Sequence, residues 1–581
     1  MKQKKLSTKP SQRQLDPTQL PNVPESSAKC LIYQVFTRLF GNQNTTRKAD
    51  GSYEENGCGK MNHFDAKTLR SIRQMGFTHI WYTGIIRHAT TTDYTAHGIP
   101  AQHPQVVKGR AGSPYAIADY YDVDPDLAVD VDQRMHEFEA LVDRTHQAGM
   151  KVIIDFVPNH VAREYHSICK PDEVHDLGQD DDVNMHFSTS NNFYYCWGQP
   201  LDLSLVSSAA EKSVADYEEQ PAKATGNDHF DNRPGRNDWY ETVKLNYGID
   251  YCDAGGRSEH FSPIPNTWGK MTDILLFWAK KGVDGFRCDM AEMVPAAFWT
   301  WATDKVKFCY PHVVFIGEVY NPQLYRTYLQ AGFDYLYDKV GMYDCVRDVI
   351  CGRRPAGDIT QQWQSTDDIR DHMLYFLENH DEQRLASDFF AGDARKGVPG
   401  VMACAWMRTN PFMCYAGQEL GERGMDAEGF SGCDGRTTIF DYWSLDTLVH
   451  GYFDRRRMTA SEKSLMQTYQ RIFHIAHSEA VSQGAFYDLM YVNPHMAARQ
   501  YAFLRKSAHE LLHIVVNFGA DAASCGVVIP RHAFDYLQVS EGEVTATDLL
   551  HGDEQKLLML ADTPVPVTVS PYDARVYRIE L

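Results

Sequence analysis

The chain has 581 residues, more than one ordinary core requires, and its 43% hydrophobic and 23% charged residues mark it as folded rather than disordered. A formal net charge of −20 disfavours nucleic acid, whose phosphates need a basic footprint, and anionic membrane surfaces, while a neutral ligand such as a sugar stays compatible. The chain contains no apolar run of about 18 residues, so no transmembrane helix is expected.

The first 27 residues, MKQKKLSTKPSQRQLDPTQLPNVPESS, are basic and lack the apolar stretch of a signal peptide, and they read as a disordered tail. Thirteen cysteines, an odd number without CxxC pairs, argue against a disulfide framework or a thiolate zinc site, and the expectation is reduced thiols in a cytoplasmic protein. From Leu31 the run LIYQVFTRLFG reads as a first strand. A pattern then recurs in which a helical segment closes on a glycine and a short apolar strand follows: Gly76 before FTHIWY, Gly149 before MKVIIDFV, Gly282 before VDGFRCD and Gly332 before FDYLYD. In VDQRMHEFEALVDRTHQAG, Met135, Phe138, Leu141 and Val142 share one helical face.

Eight strands of this kind are counted, starting near residues 31, 77, 151, 283, 313, 333, 373 and 411. Continuous apolar strands suit a parallel sheet covered by helices, and eight βα units predict an α/β fold of the (β/α)8 TIM-barrel type. An open doubly wound sheet is the alternative, but no glycine-rich phosphate fingerprint follows any strand. The barrel is expected over residues 28–160 and 263–482. The stretch 161–262, rich in Asp, Asn, Tyr and Ser, is too long for a structureless loop and reads as a domain inserted after the third strand. Residues 483–581, with YVNPHMAARQYAFLRK, ELLHIVVNFG, GVVIP and ARVYRIEL between turn signals, read as a C-terminal β-sandwich-like domain.

Active sites of such barrels lie at the C-terminal strand ends. Here the third strand ends in Asp155-Phe156-Val157-Pro158-Asn159-His160, the fourth in Gly285-Phe286-Arg287-Cys288-Asp289, the fifth in Gly317-Glu318-Val319 and the seventh in Glu378-Asn379-His380-Asp381. One acid at a strand end is usually a solvated loop or cap residue; carboxylates at several strand ends in barrel order are the inventory of glycosidic bond cleavage, where a nucleophile and an acid face each other across about 5 Å. Neighbouring strands about 4.8 Å apart meet that spacing. Arg287 and Asp289 are two residues apart on one strand and share a face, so a permanent cation stands beside the candidate nucleophile. Glu318 must instead carry a proton. Cys288 faces the other way and reads as core.

DFVPNH, GFRCDMAEM, IGEVY and LENHDEQR resemble, in order and in strand placement, the four short conserved regions of the α-amylase superfamily, glycoside hydrolase family 13. The resemblance covers roughly residues 28–581. It implies Asp289 as nucleophile, Glu318 as general acid/base, Asp381 as the third carboxylate, and Arg287, His160 and His380 as substrate-binding residues. SPYAIADYY resembles the segment after strand two, which implies Tyr115 as the platform under the sugar and Asp119 as its partner. VKLNYGID resembles a fifth region more loosely. Where many amylases carry Lys-His after the nucleophile this chain has Glu292-Met293, a departure that argues against the family's usual structural calcium, for which Asn159 is the one ligand implied. No cofactor is expected in the chemistry. The implied activity is retaining hydrolysis of α-1,4-glucosidic bonds in starch- or glycogen-derived glucans or malto-oligosaccharides. Transfer or isomerisation of the glycosyl group through the same intermediate is the alternative, and a non-enzymatic sugar-binding protein is a third reading, opposed by the intact carboxylates. An aldolase-type barrel would need a strand-end lysine, and none stands at these four ends. Oligomeric state is not legible in the sequence.

Overall fold

The computed structural model describes residues 29–206, 216–424, 429–430 and 432–581; the expected N-terminal tail lies outside them. Eight parallel strands close into a barrel: β1 Leu31–Phe36, β2 His79–Thr83, β3 Lys151–Phe156, β4 Gly285–Cys288, β5 Val314–Gly317, β6 Tyr335–Tyr337, β7 Met373–Phe376 and β8 Phe412–Tyr415. Each begins within two residues of its expected start, because the glycine before the strand ends the preceding helix sharply. At Gly332 φ is 111° and an added Cβ would sit 2.1 Å from Thr303 Oγ1, so the turn admits no side chain. The helix Arg134–Gln147 buries Phe138, Leu141, Val142 and Thr145 against the barrel, with Met135 half-buried at the edge of that face.

Two excursions build walls above the strand ends. After β2 the chain runs out through Ile86–His88 and back through Ile117–Val123 as an antiparallel pair. After β3 it forms short antiparallel pairs: His160–Ala162 with Thr242–Lys244, Tyr195–Cys196 with Ala222–Lys223, and Ile249–Asp250 with Ser258–Glu259. The helix Asn266–Lys280 then returns the chain to β4. The C-terminal segment holds a six-stranded antiparallel sheet in the order Ala485–Asp488, Gln500–Lys506, Glu510–Asn517, Asp573–Glu580, Gly542–Asp548, Glu554–Met559, and a two-stranded sheet of Ala523–Val528 with Pro564–Val569. It also contains a short helix, Arg531–Leu537, that the β-rich pattern did not announce. Arg505 fastens this sheet to the barrel: its guanidinium donates to the carbonyls of Met407, Ala480, Val481 and Gly484 at 2.7–3.0 Å. Among the described residues no disulfide joins any two cysteines, and no helix is long and apolar enough to cross a membrane.

Candidate active site

Strand register decides which side chains meet. β4 and β5 pair in parallel with Cys288 opposite Gly317, so Asp289 and Glu318 leave the barrel side by side. Their backbones are pinned: Asp289 N–H donates to Phe156 O at 2.9 Å and Glu318 N–H to Cys288 O at 3.1 Å. Phe286 and Cys288 are fully buried on one face of β4, while Arg287 points into the barrel. Its guanidinium joins the carboxylates, with Nη1 2.7 Å from Asp289 Oδ1 and 3.5 Å from Asp155 Oδ1, and Nη2 2.7 Å from Glu318 Oε2. Nε donates to the Tyr337 hydroxyl at 3.3 Å, and the rings of Trp81 and Tyr115 flank the cation with centroids at 5.2 and 5.3 Å. Glu318 also accepts from the Tyr320 hydroxyl at 2.6 Å and from Met290 N–H at 2.8 Å. The latter bond requires Met290 to adopt a left-handed backbone, φ 42° and ψ 44°, a costly conformation for a methionine that is held here at the site itself.

The opposite wall comes from β7, β1 and the excursion after β2. His380 Nε2 lies 3.1 Å from Asp381 Oδ2 and 2.5 Å from the Tyr115 hydroxyl, its Nδ1 is 2.7 Å from Gln34 Nε2, and Tyr115 stacks on its ring at 5.2 Å. Asp155 accepts from the Trp81 indole at 2.9 Å and from the Tyr115 hydroxyl at 3.3 Å. Tyr115, His160, Asp289, Glu318 and Asp381 thus line one cavity of about 240 Å3. A larger groove, about 900 Å3, runs between the outer helices and the C-terminal sheets, and no barrel strand end reaches it.

The electrostatics follow from crowding. Four carboxylates, Asp155, Asp289, Glu318 and Asp381, surround a single guanidinium. Burial raises Asp289 well above the ordinary carboxylate range; Arg287 opposes the rise, and Glu318, Asp381 and Asp155 add to it. Burial also raises Asp155. Burial would raise Asp381 too, but His380 beside it, with Arg287 and Arg436, brings it down to about 2. His160, buried and facing Lys244 and Lys108, is lowered to about 3 and stays neutral. Burial and crowding therefore push Asp289 up while His380 and the arginines bring Asp381 down, and these shifts belong to the set of carboxylates.

Carboxylates on paired strand ends, a cation between them and a sugar-sized cavity match what an independent comparison finds: the model of the α-amylase catalytic domain fits residues 34–472. This chain belongs to the α-amylase family. It is 22% identical over 543 residues to an α-amylase of Haloarcula japonica, covering 90% of this chain and 62% of that protein, and 20% identical over 423 residues to a neopullulanase of Thermoactinomyces vulgaris, covering 69% and 58%. The chain thus spans about three-fifths of the length of these relatives. An amino acid transporter heavy chain of Mus musculus is also similar, 25% identical over 331 residues, covering 55% of this chain and 37% of that protein. Among solved structures, an α-amylase of Geobacillus thermoleovorans complexed with acarbose superposes with a TM-score of 0.63 at 18% identity, covering 95% of this chain and 98% of that one. A maltogenic α-amylase of Thermotoga neapolitana gives 0.59 at 18% identity, covering 95% and 99%.

Two residues of this amylase-family chain stand elsewhere than the sequence suggests. Asp119 does not line the cavity. It is fully buried in the return strand after β2, paired with Arg87 at 3.3 Å, and accepts from Ser167 Oγ, Ile168 N–H and Tyr121 N–H at 2.6–2.9 Å. Its place is the joint between that strand and the start of the long insert. Asn159 is occupied by protein. Its Nδ2 donates to Gly226 O at 2.7 Å, and its Oδ1 accepts from the Lys244 ammonium at 2.5 Å. The same ammonium lies 2.6 Å from Asp228 Oδ1. Register puts it there, since His160 pairs with Lys244 across the first antiparallel pair of the insert. The donor set that would hold a calcium through Asn159 is thus filled by a tethered cation, and the site does not fit the ion. Asp181, from the run Asp180-Asp181-Asp182, is likewise engaged, accepting from Asn192 and Phe193 N–H and the Tyr195 hydroxyl at 2.7–3.0 Å. Glu292 accepts from Tyr320 and Asn321 N–H at 3.2 and 3.0 Å, holding the turn after β5.

The strand-end pattern does not single out Trp81, Gln34 and Tyr337, whose roles depend on partners far along the chain, nor Tyr320, whose hydroxyl turns back to Glu318 two residues before it. It passed over Asp155 as a partner of Arg287, although an aspartate inside an apolar strand was a signal that it needed one.

Proposed function

We propose that this protein is a retaining glycoside hydrolase that cleaves α-1,4-glucosidic bonds in starch- or glycogen-derived glucans or malto-oligosaccharides. The observation that carries the reading is Arg287 held between Asp289 and Glu318 on adjacent strand ends, with Asp381 and His380 across the cavity. Asp289 attacks the anomeric carbon while Glu318 gives its proton to the departing glycosidic oxygen; the C–O bond to the leaving sugar breaks and a glycosyl ester forms on Asp289. Water then attacks the same carbon, Glu318 takes its proton, the ester bond breaks to release Asp289 as a carboxylate, and the product keeps the α configuration. Asp381, ionised, accepts from sugar hydroxyls as positive charge develops on the ring, and Tyr115 offers its face beneath. The names of the relatives, α-amylase, neopullulanase and maltogenic α-amylase, support an α-glucan substrate.

Proton NMR of freshly formed product tests the mechanism: the α anomer should appear first, and initial β product would mean an inverting reaction with no covalent role for Asp289. Time-resolved products from maltoheptaose, glycogen, pullulan, trehalose and sucrose separate hydrolysis from glycosyl transfer, since transfer yields oligosaccharides longer than the substrate.

The pH dependence carries a sign. Asp289 must be ionised to attack, and its folded-state pKa is raised. The acid limb of kcat/KM should therefore fall at a macroscopic pKa above the roughly 3.9 of a free aspartate. A limb at or below that value would contradict the crowding described above.

A further inference from the structure

Lys108 and Glu241 line the same cavity, and nothing in the bond-cleaving chemistry uses them. Lys108 comes from the loop between Ile86–His88 and Ile117–Val123, and Glu241 directly precedes Thr242–Lys244 of the insert. Their charges meet at 3.0 Å, Nζ to Oε2, with side chains only 10% and 5% exposed. The ammonium also lies 5.3 Å from the Tyr240 ring and 6.0 Å from that of Phe440, on the loop after β8. Phe440 O accepts from Ala111 N–H at 3.0 Å, which ties that loop to the one carrying Lys108.

From this closure we infer that Lys108 and Glu241 form the end wall of the cavity and make it a pocket for the single terminal glucosyl unit of a chain. The inference rests on the glycosidase reading. Around the barrel, β8 and β1 stand opposite β4 and β5, with β2 next to β1, and the loop carrying Lys108 is tied to the one after β8 by the Ala111–Phe440 bond. The leaving sugar departs beside Glu318 and Tyr320, so the wall carrying Lys108 and Phe440 faces the other end of the bound sugar. A cavity of about 240 Å3 falls below the roughly 300–1,000 Å3 typical of drug-sized ligands and suits one ring rather than a chain. Glu241 Oε2 is buried and, despite its nearness to Lys108, accepts no well-aligned hydrogen bond. It is therefore an acceptor available to the free hydroxyl that only a chain terminus presents. An internal unit has a further sugar in that place, which the ion pair would exclude.

The test uses the full-length protein and p-nitrophenyl α-maltoheptaoside with its non-reducing end free or blocked by a 4,6-O-ethylidene group, alongside α-glucosyl fluoride. The expected result for wild type is glucose as the first product from free-ended maltoheptaose and at least about 100-fold slower cleavage of the blocked substrate. The double variant Lys108→Ala/Glu241→Ala should narrow that ratio by tenfold or more and release maltose or longer products, with melting curves recording whether it folds. Equal wild-type rates on free and blocked substrate, or maltose and longer sugars from the first time points, would overturn the inference whatever the variant does. A folded variant with an unchanged ratio would overturn it too. Failure of the underlying reading looks different: wild type would then turn over none of these substrates, the fluoride included.

Discussion

Asp289→Asn is expected to lower kcat by at least about 10⁴-fold, near 5 kcal/mol of transition-state stabilisation, while the fold survives. An amide oxygen cannot displace the leaving sugar to form the glycosyl ester. The fold should tolerate the change because Asn keeps the shape and an oxygen for Arg287 Nη1, which now lies 2.7 Å from the carboxylate. It also removes a charge the site resists: burial and three neighbouring carboxylates raise Asp289, so its ionised form is held against a cost that a neutral residue lacks. The melting temperature of Asp289→Asn should match or exceed that of wild type, the pattern of a site whose function opposes stability. Glu318→Gln should be nearly as slow on oligosaccharides but should recover much of the first step with α-glucosyl fluoride, whose leaving group needs no proton. Retention of more than a few per cent of activity in Asp289→Asn, checked by mass spectrometry for deamidation back to Asp, would remove Asp289 from its role.

The second large effect concerns stability at the junction of barrel and insert. Lys244→Met is expected to destabilise the protein by about 3 kcal/mol. This lies at the low end of the cost of stripping one partner from a buried pair, because Asp228 is a quarter exposed and regains some water. The methionine fills the space but leaves Asn159 Oδ1 without its donor and Asp228 without its cation. The melting temperature should drop by several degrees, and added calcium should not restore it. In wild type, EDTA should leave both melting temperature and activity almost unchanged, since the chemistry needs no Lewis acid and an ammonium already stands where the ion would sit. A fall of several degrees on chelation, reversed by calcium alone, would sink this account.

Much of the architecture was written in short-range pattern. The glycine that closes each helix and the apolar run behind it locate the barrel strands, because both reflect interactions within a few residues. The placing of Arg287 and Asp289 on one face, with Cys288 opposed, follows from the two-residue period of a strand, and Glu318 stands beside them because parallel neighbours end together at the barrel rim. These features need no knowledge of where distant loops go. The rest depends on chain segments that meet only after folding. Asp119, implied as a sugar contact by its motif, is drawn away from the cavity by Arg87 and by backbone N–H groups of the insert. Lys244 reaches Asn159 across 85 residues because one antiparallel pair sets its register, and Lys108 meets Glu241 because the loop after β2 comes against the insert after β3. A buried charge is stable only where its partner stands. The sequence by itself determined the barrel and the residue types at its strand ends; only the tertiary structure decided which of those charges face the cavity and which hold the walls, because that pairing is made by loops whose paths no local period encodes.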